Sequence, residues 1–214
     1  MGQLNAGILS GITGKVGTII GGSWRGKEYI RVKPRRKKSF VASPKQLDQY
    51  AKFALATGFV RSFAGLLRFS FREQEVVKTG RNCCVSHVLK HAITGTSPLF
   101  AIDYSKVLIS GGSLKTAKAP TAVSTATGKV TFSWTNNADG NGFSSATDRA
   151  IVLVHCPELN ETEYSSTGAT RSSGTQVFDV SEFSGKKVHT YLGFIAEDGE
   201  RVADSVYTGE LTVA

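Results

Sequence analysis

The residues best placed to do chemistry lie between positions 24 and 38, where cations alternate with aromatic and aliphatic side chains: Trp24-Arg25-Gly26-Lys27-Glu28-Tyr29-Ile30-Arg31-Val32-Lys33, then Pro34-Arg35-Arg36-Lys37-Lys38. Alternate residues of a strand share a face, so Arg25, Lys27, Tyr29, Arg31 and Lys33 are expected to form one basic ladder, with Trp24, Ile30 and Val32 behind it. Such a ladder can follow a phosphate backbone by charge alone, without reading bases. It can equally meet an acidic protein surface. Arg35, Arg36, Lys37 and Lys38 repel one another unless solvent or an anion screens them, which predicts a loop whose partner is negative.

The other constellations are less complete. Gly14-Lys15 begins to resemble a phosphate-binding loop, but that motif needs Gly five residues before Gly14 and Ser or Thr after the Lys, and Leu9 and Val16 stand there. Cys83, His87 and His91 recur every four residues, which on a helix lines up metal-ligating types on one face. No fourth ligand is indicated, so neither a metal nor any other cofactor is expected. Serines, histidines and acids are all present, but in neither the Gly-x-Ser-x-Gly nor the His-Glu-x-x-His arrangement. The chain is therefore expected to be a structural or binding protein without a small-molecule substrate, not an enzyme.

The elements that must position these residues follow from composition and periodicity. Apolar residues make up 40% and charged residues 20% of 214, a globular balance. Net charge is +9, unevenly spread: residues 1–118 hold 20 Lys or Arg against 5 Asp or Glu, and residues 119–214 hold 6 against 12. With the Ala, Pro and Thr stretch 117–123 as a boundary, the expected division is a basic arm, ribbon and helical region over 1–118 and a β-sandwich over 119–214. A chain that is basic at one end and acidic at the other suits head-to-tail contacts between copies, or contact with nucleic acid.

Residues 1–13 are small, apolar and Gly-rich, and are expected to be an arm that orders on a neighbour. Glycine-punctuated β-type runs over 14–33 predict a ribbon. Ser43-Pro44-Lys45-Gln46 has the residues of a capped helix start. Apolar residues at three- and four-residue spacing from Leu47 to Leu67 predict a long helix of roughly 28 residues, about 42 Å. Its phenylalanines spread beyond one stripe, so Phe53, Phe59, Phe63, Leu66 and Leu67 are expected to make a subunit interface in a homo-oligomer. A second helix is expected over 82–94 and a strand over 99–110. Alternating runs over 129–136, 150–156, 161–166, 176–180, 187–196 and 202–213 then predict an antiparallel sandwich of the immunoglobulin or fibronectin type III kind. The fold class is α+β.

The three cysteines, two of them adjacent, do not make a disulfide framework, so free thiols in a reducing compartment are expected. The start carries no secretory signal pattern and no apolar run approaches the ~20 residues of a membrane span. The product is expected to be made in the cytoplasm, without membrane contact, and to reside in a particle if it assembles into one.

The order Gly14-Lys15-x-Gly17, Gly22-x-Trp24-x-Gly26-Lys27, Ile30-Arg31, Pro34, Ser43-Pro44-x-Gln46 and Lys52-Phe53-Ala54 resembles the opening of a bacterial protein family of unknown function. Ala92-Ile93-Thr94-Gly95, Ile102 to Val107, Ala169-Thr170-Arg171-Ser172 and Ser205 to Gly209 are similar to its later segments, so the resemblance spans nearly the whole chain. It brings no catalytic residues. It implies a phage or prophage structural component, such as part of a capsid or tail. Tyr50 stands where that pattern would place Arg, which puts the role of that charge in doubt.

Overall fold

The computed structural model describes residues 2–4, 12–24, 26–34, 41–74, 78–140 and 142–214. They fall into two units, Met1–Ser43 and Pro44–Ala214. Arg25 and Arg35, Arg36, Lys37 and Lys38 of the expected basic ladder lie outside the described residues, as does most of the expected arm.

The first unit is one antiparallel sheet of β1 (Gly2–Leu4), β2 (Gly14–Val16), β3 (Ile19–Trp24) and β4 (Lys27–Val32), in the order β1-β4-β3-β2. Two residues separate β2 from β3 and β3 from β4, and the glycine in each gap, Gly17 and Gly26, has φ of 60° and 76°. Tight hairpins require that left-handed backbone, so the glycine spacing sets the register. The ladder continues past β4, where the Lys33 amide donates to the Thr18 carbonyl at 2.8 Å.

The second unit opens with α1 (Pro44–Arg61), which starts at the expected proline. It does not run on to about residue 70. From Ser62 the amides turn to carbonyls three residues back, and a 3-10 turn follows at Leu66–Arg68. Phe59, Val60, Phe63, Leu66, Leu67 and Phe71 are all buried in one core, so the chain stays packed against the same layer through the change of hydrogen bonding. Gly65 lets Tyr164 pack closely here, because a Cβ there would overlap the Tyr164 hydroxyl.

Next come α2 (Gly80–His87), capped by the Thr79 hydroxyl accepting from the Asn82 amide at 3.2 Å, and a π turn at Val88–Ala92. The hairpin of β5 (Ile93–Thr96) and β6 (Leu99–Ile102) follows. The strand expected over 99–110 ends at Ile102 because Asp103 caps a 3-10 turn at Tyr104–Lys106, its carboxylate accepting from the Ser105 amide.

Seven strands complete the unit: β7 (Lys118–Ala126), β8 (Lys129–Thr135), β9 (Arg149–Cys156), β10 (Glu161–Ser165), β11 (Thr175–Asp179), β12 (Lys187–Ile195) and β13 (Val206–Thr212). One sheet has the order β11-β8-β7 and the other β10-β9-β12-β13. Both are antiparallel, and the two-sheet arrangement is that of an immunoglobulin or fibronectin type III-like sandwich. The stretch read as a boundary at 117–123 forms the start of β7. Pro120 is tolerated there because β7 is an edge strand of its sheet.

The four-stranded sheet is covered on both faces. Ala150, Val152, Val154 and Cys156 of β9 enter the sandwich core with Phe132, Trp134, Leu192 and Phe194. Ile151 and Leu153 enter a second core with Phe59, Phe63, Leu67, Val88 and Tyr191 from the helices and β12. The helices are thus a third layer on the outside of the sandwich. The helical segment and the sandwich belong to one unit, and the division between units falls before α1, at Ser43.

Candidate interaction interface

Alternation and register together make the first unit two-sided. Residues directly opposite in an antiparallel pair share a face, and the pairs are Trp24 with Lys27, Gly22 with Tyr29, Ile20 with Arg31, and Lys15 with Ile20. One face therefore carries Lys15, Lys27, Arg31 and Lys33 around Trp24 and Tyr29. The Tyr29 ring lies over Gly22, where a side chain would collide with its hydroxyl. Trp24, expected behind the ladder, is on its front, because it stands opposite Lys27 in the hairpin. Ile30 and Val32 are behind it as expected.

The opposite face is apolar at its Val16, Ile19, Ile30 and Val32 end and carries Ser23 and Glu28 toward the other hairpin. Val16 pairs with Ile19, Ile19 with Val32, and Gly21 with Ile30. Val16, Ile19 and Val32 are 64%, 45% and 70% exposed, and on the basic face Trp24 is 56% exposed. Sequence reasoning singled out the cations of β4 but did not place Lys15 beside them, nor Val16 and Ile19 beside Val32. The signal was present in the glycine gap at Gly17, which fixes how β2 folds onto β3.

The expected helix interface is corrected by burial. Phe59, Phe63, Leu66 and Leu67 belong to the core shared with the sandwich sheet, so they cannot meet another subunit. Phe53 alone of the five is exposed, at 55%. Leu47 and Tyr50 precede it at three-residue steps and are also exposed, giving α1 an outward apolar side.

Between α1 and the sandwich sheet lies a cluster of histidines and tyrosines. His155 Nδ1 is 2.8 Å from Thr162 Oγ1, which is 2.6 Å from Ser62 Oγ, so a chain of hydrogen bonds ties β9 and β10 to the end of α1. The His155 ring meets the Phe59 ring edge-on at 4.8 Å. Burial, with the His189 charge adding to it, holds the His155 imidazole down to a pKa of about 4. His189 stacks on Tyr104 at 4.1 Å, and its Nδ1 is 2.9 Å from the Tyr207 hydroxyl. Tyr191 donates to the Tyr104 carbonyl at 2.8 Å, and burial pushes its phenol upward. Every ionisable group of this cluster is neutral at pH 7, and its visible work is to fasten layers together.

The buried charge elsewhere is structural in the same sense. Arg171 is wholly buried, its Nε donating to Asp148 at 3.1 Å, its other nitrogens to Asn137 and the Lys115 carbonyl, and its Cζ 3.9 Å from the Phe194 ring centre. Glu73 joins the helical layer to the sandwich by accepting from the Ser113 and Val202 amides at 3.0 and 2.8 Å. None of the three cysteines is in a disulfide, and Cys84 and Cys156 are buried. No described helix is long and apolar enough to cross a membrane.

Cys83, His87 and His91, aligned by their spacing, do line one cleft. Among the described residues no three His, Cys, Asp or Glu are arranged to enclose a metal ion.

No curated protein matches the chain. Among solved structures, the solution structure of the fn3 domain of human collagen alpha-1(XX) chain is similar at 11% identity and a TM-score of 0.36, covering 56% of this chain and 90% of that one. The motif order at the N-terminus implied a family of unknown function that spans nearly the whole chain. A family model described as a family of unknown function (DUF6266) matches residues 11–209, and the chain belongs to that family.

Proposed function

We propose that this is a self-assembling structural protein whose N-terminal sheet docks on a second copy, as a component of a large particle such as a virion. The observation that carries the reading is the apolar face of that sheet. Val16, Ile19 and Val32 stand exposed side by side on a unit too small to bury them in a core of its own. The outward side of α1, with Leu47, Tyr50 and Phe53, supplies a second apolar contact on the other unit. The charge balance supports contact between unlike ends, since the first 43 residues hold 9 Lys or Arg against one Asp or Glu.

Light scattering after size exclusion tests this. The full chain is expected to elute as a defined oligomer at modest salt, and the double variant Ile19→Ser, Val32→Ser as a 22.9 kDa monomer. A parent chain that is monomeric at every salt concentration sinks the reading.

The basic face favours a second reading, sequence-independent binding of nucleic acid. Lys15, Lys27, Arg31 and Lys33 surround two aromatic rings that can stack on bases. Four phosphate contacts predict a log-log salt slope of about −3 to −4. Lys27→Ala and Arg31→Ala would each shallow that slope by about 1, whereas the Ile19 and Val32 variants would leave it alone.

A further inference from the structure

Two clefts flank α2 in the second unit. The first, of about 640 Å³, lies between α1 and α2 and is lined by Phe53, Val85 and Leu89 together with two cations, Arg81 and Lys90. The second, of about 400 Å³, shares Ser86 and Lys90 with it and adds Lys78 and His91. Among the described residues no carboxylate lines either cleft. Lys78, Arg81 and Lys90 are exposed, and none of them forms an ion pair with a described residue. An apolar recess beside three unneutralised cations fits an apolar side chain flanked by carboxylates.

The same unit carries such a group. The turn 157–160 joins β9 to β10, and its Leu159 is 41% exposed. Glu158 precedes that leucine, and Glu161 and Glu163 follow on β10, all exposed. Lys186 pairs with Glu158 at 2.8 Å, a surface pair that exchanges at little cost. Burial, with the Glu182 and Glu161 charges adding to it, pushes the Glu163 carboxyl above its ordinary value, so this edge carries crowded negative charge.

The turn and the cleft lie on different sides of α1. Pro157 and Asn160 of the turn share a groove with Ala51, Ala54 and Gly58, whereas Phe53 and Thr57 face the cleft beside α2. At 3.6 residues per turn those two sets point roughly 110° apart. The helix therefore stands between a chain's own turn and its own cleft, and the two surfaces can meet only between copies.

We propose that the β9–β10 turn of one copy seats in the cleft beside α2 of the next, with Leu159 against Phe53, Val85 and Leu89, and Glu158 and Glu161 against Arg81 and Lys90. That the partner is a second copy rests on the self-assembly reading, but the contact uses neither face of the N-terminal sheet. Turn and cleft are unlike surfaces, so the contact repeats head to tail and builds a ring or a filament. Centred on one turn, it is small, and it comes apart at the dilution of size exclusion.

The test is sedimentation velocity over a concentration series, on the full chain carrying Ile19→Ser and Val32→Ser to remove the sheet contact. Reversible association that grows with concentration and weakens with salt is expected. Arg81→Glu, Glu161→Arg and Leu159→Ser, each at an exposed position, are each expected to weaken it at least roughly tenfold. An equimolar mixture of the Arg81→Glu and Glu161→Arg chains is expected to recover association, because the intact turn of one meets the intact cleft of the other. Recovery also shows that both variants are folded. No association at the highest soluble concentration, Arg81→Glu associating like its background, or a mixture that stays monomeric overturns the contact. If Arg81→Glu lowers only the binding of a DNA duplex, the clefts take phosphate and the turn is not their occupant. The docking of the sheet stands or falls separately, on the mass of the parent against the Ile19 and Val32 variant.

Discussion

In the second unit the strand β9 sends alternate side chains into two different cores, whereas in the first unit β4 carries no fully buried side chain on either face. Both strands are central in their sheets and both are paired on both edges. What differs is what covers them. A backbone ladder alone therefore does not distinguish a sheet that stabilises the fold from one that presents a surface. Helices on one side and a second sheet on the other make β9 interior, and among the described residues of the first unit no comparable layer covers β4.

The comparison can be pressed hardest at the buried charge. Arg171→Ala would leave Asp148 buried without its partner and is expected to cost about 3–5 kcal/mol in urea unfolding. A loss below about 1 kcal/mol would mean that water replaces the guanidinium and that this end of the sandwich is not closed.

Next is acid. The native state holds His155 neutral to about pH 4 against an ordinary value of 6.5. As pH falls below the ordinary value the unfolded chain takes up a proton that the native imidazole refuses, so stability drops and levels off near the native value. The total is on the order of 3 kcal/mol. Urea midpoints measured across about pH 4 to 7 are expected to trace this fall. His155→Phe, which keeps a ring against Phe59 and removes the proton site, should flatten it.

A smaller effect is expected at the turn after α1. Gly65→Ala would set a methyl group against the Tyr164 hydroxyl and should cost about 1–3 kcal/mol. Adding Tyr164→Phe removes that hydroxyl and should recover part of the loss. If the second change makes matters worse, the clash is not the cause.

The smallest change in stability belongs to the first unit. Ile19→Ser with Val32→Ser should shift the main urea transition by less than about 0.5 kcal/mol, because neither side chain lies in a core. Their effect should be on particle mass instead. A large loss of monomer stability would place these residues with the interior after all.

Much of the sandwich was legible in sequence because local chemistry decides it. Six of its strands follow alternating runs, and β9 reads Ala-Ile-Val-Leu-Val-His-Cys without polar interruption until His155, as a strand covered on both faces should. The seventh, β7, was hidden because Ala and Pro are weak strand formers and its place depends on the neighbour β8. The helix start at Pro44 was legible from its cap residues, while its end at Arg61 was not, and the close packing at Gly65 that follows comes from Tyr164, about a hundred residues away. The same distance explains the interface residues. Phe59 and Phe63 look like a surplus of apolar surface until β9 and β12 are seen to need a cover. In the first unit the cations of one strand were readable, but which of Trp24, Ile30 and Val32 shares their side depends on register between strands.

The sheet β10-β9-β12-β13 is a wall with a room on each side. Neither room can be emptied alone: stripping the helices would expose Ile151, Leu153 and Tyr191 on strands whose other residues still hold the sandwich, and opening the sandwich would pull the same strands away from the helices. The second unit is thereby expected to melt as one body, without a half-folded form in which the sandwich survives bare.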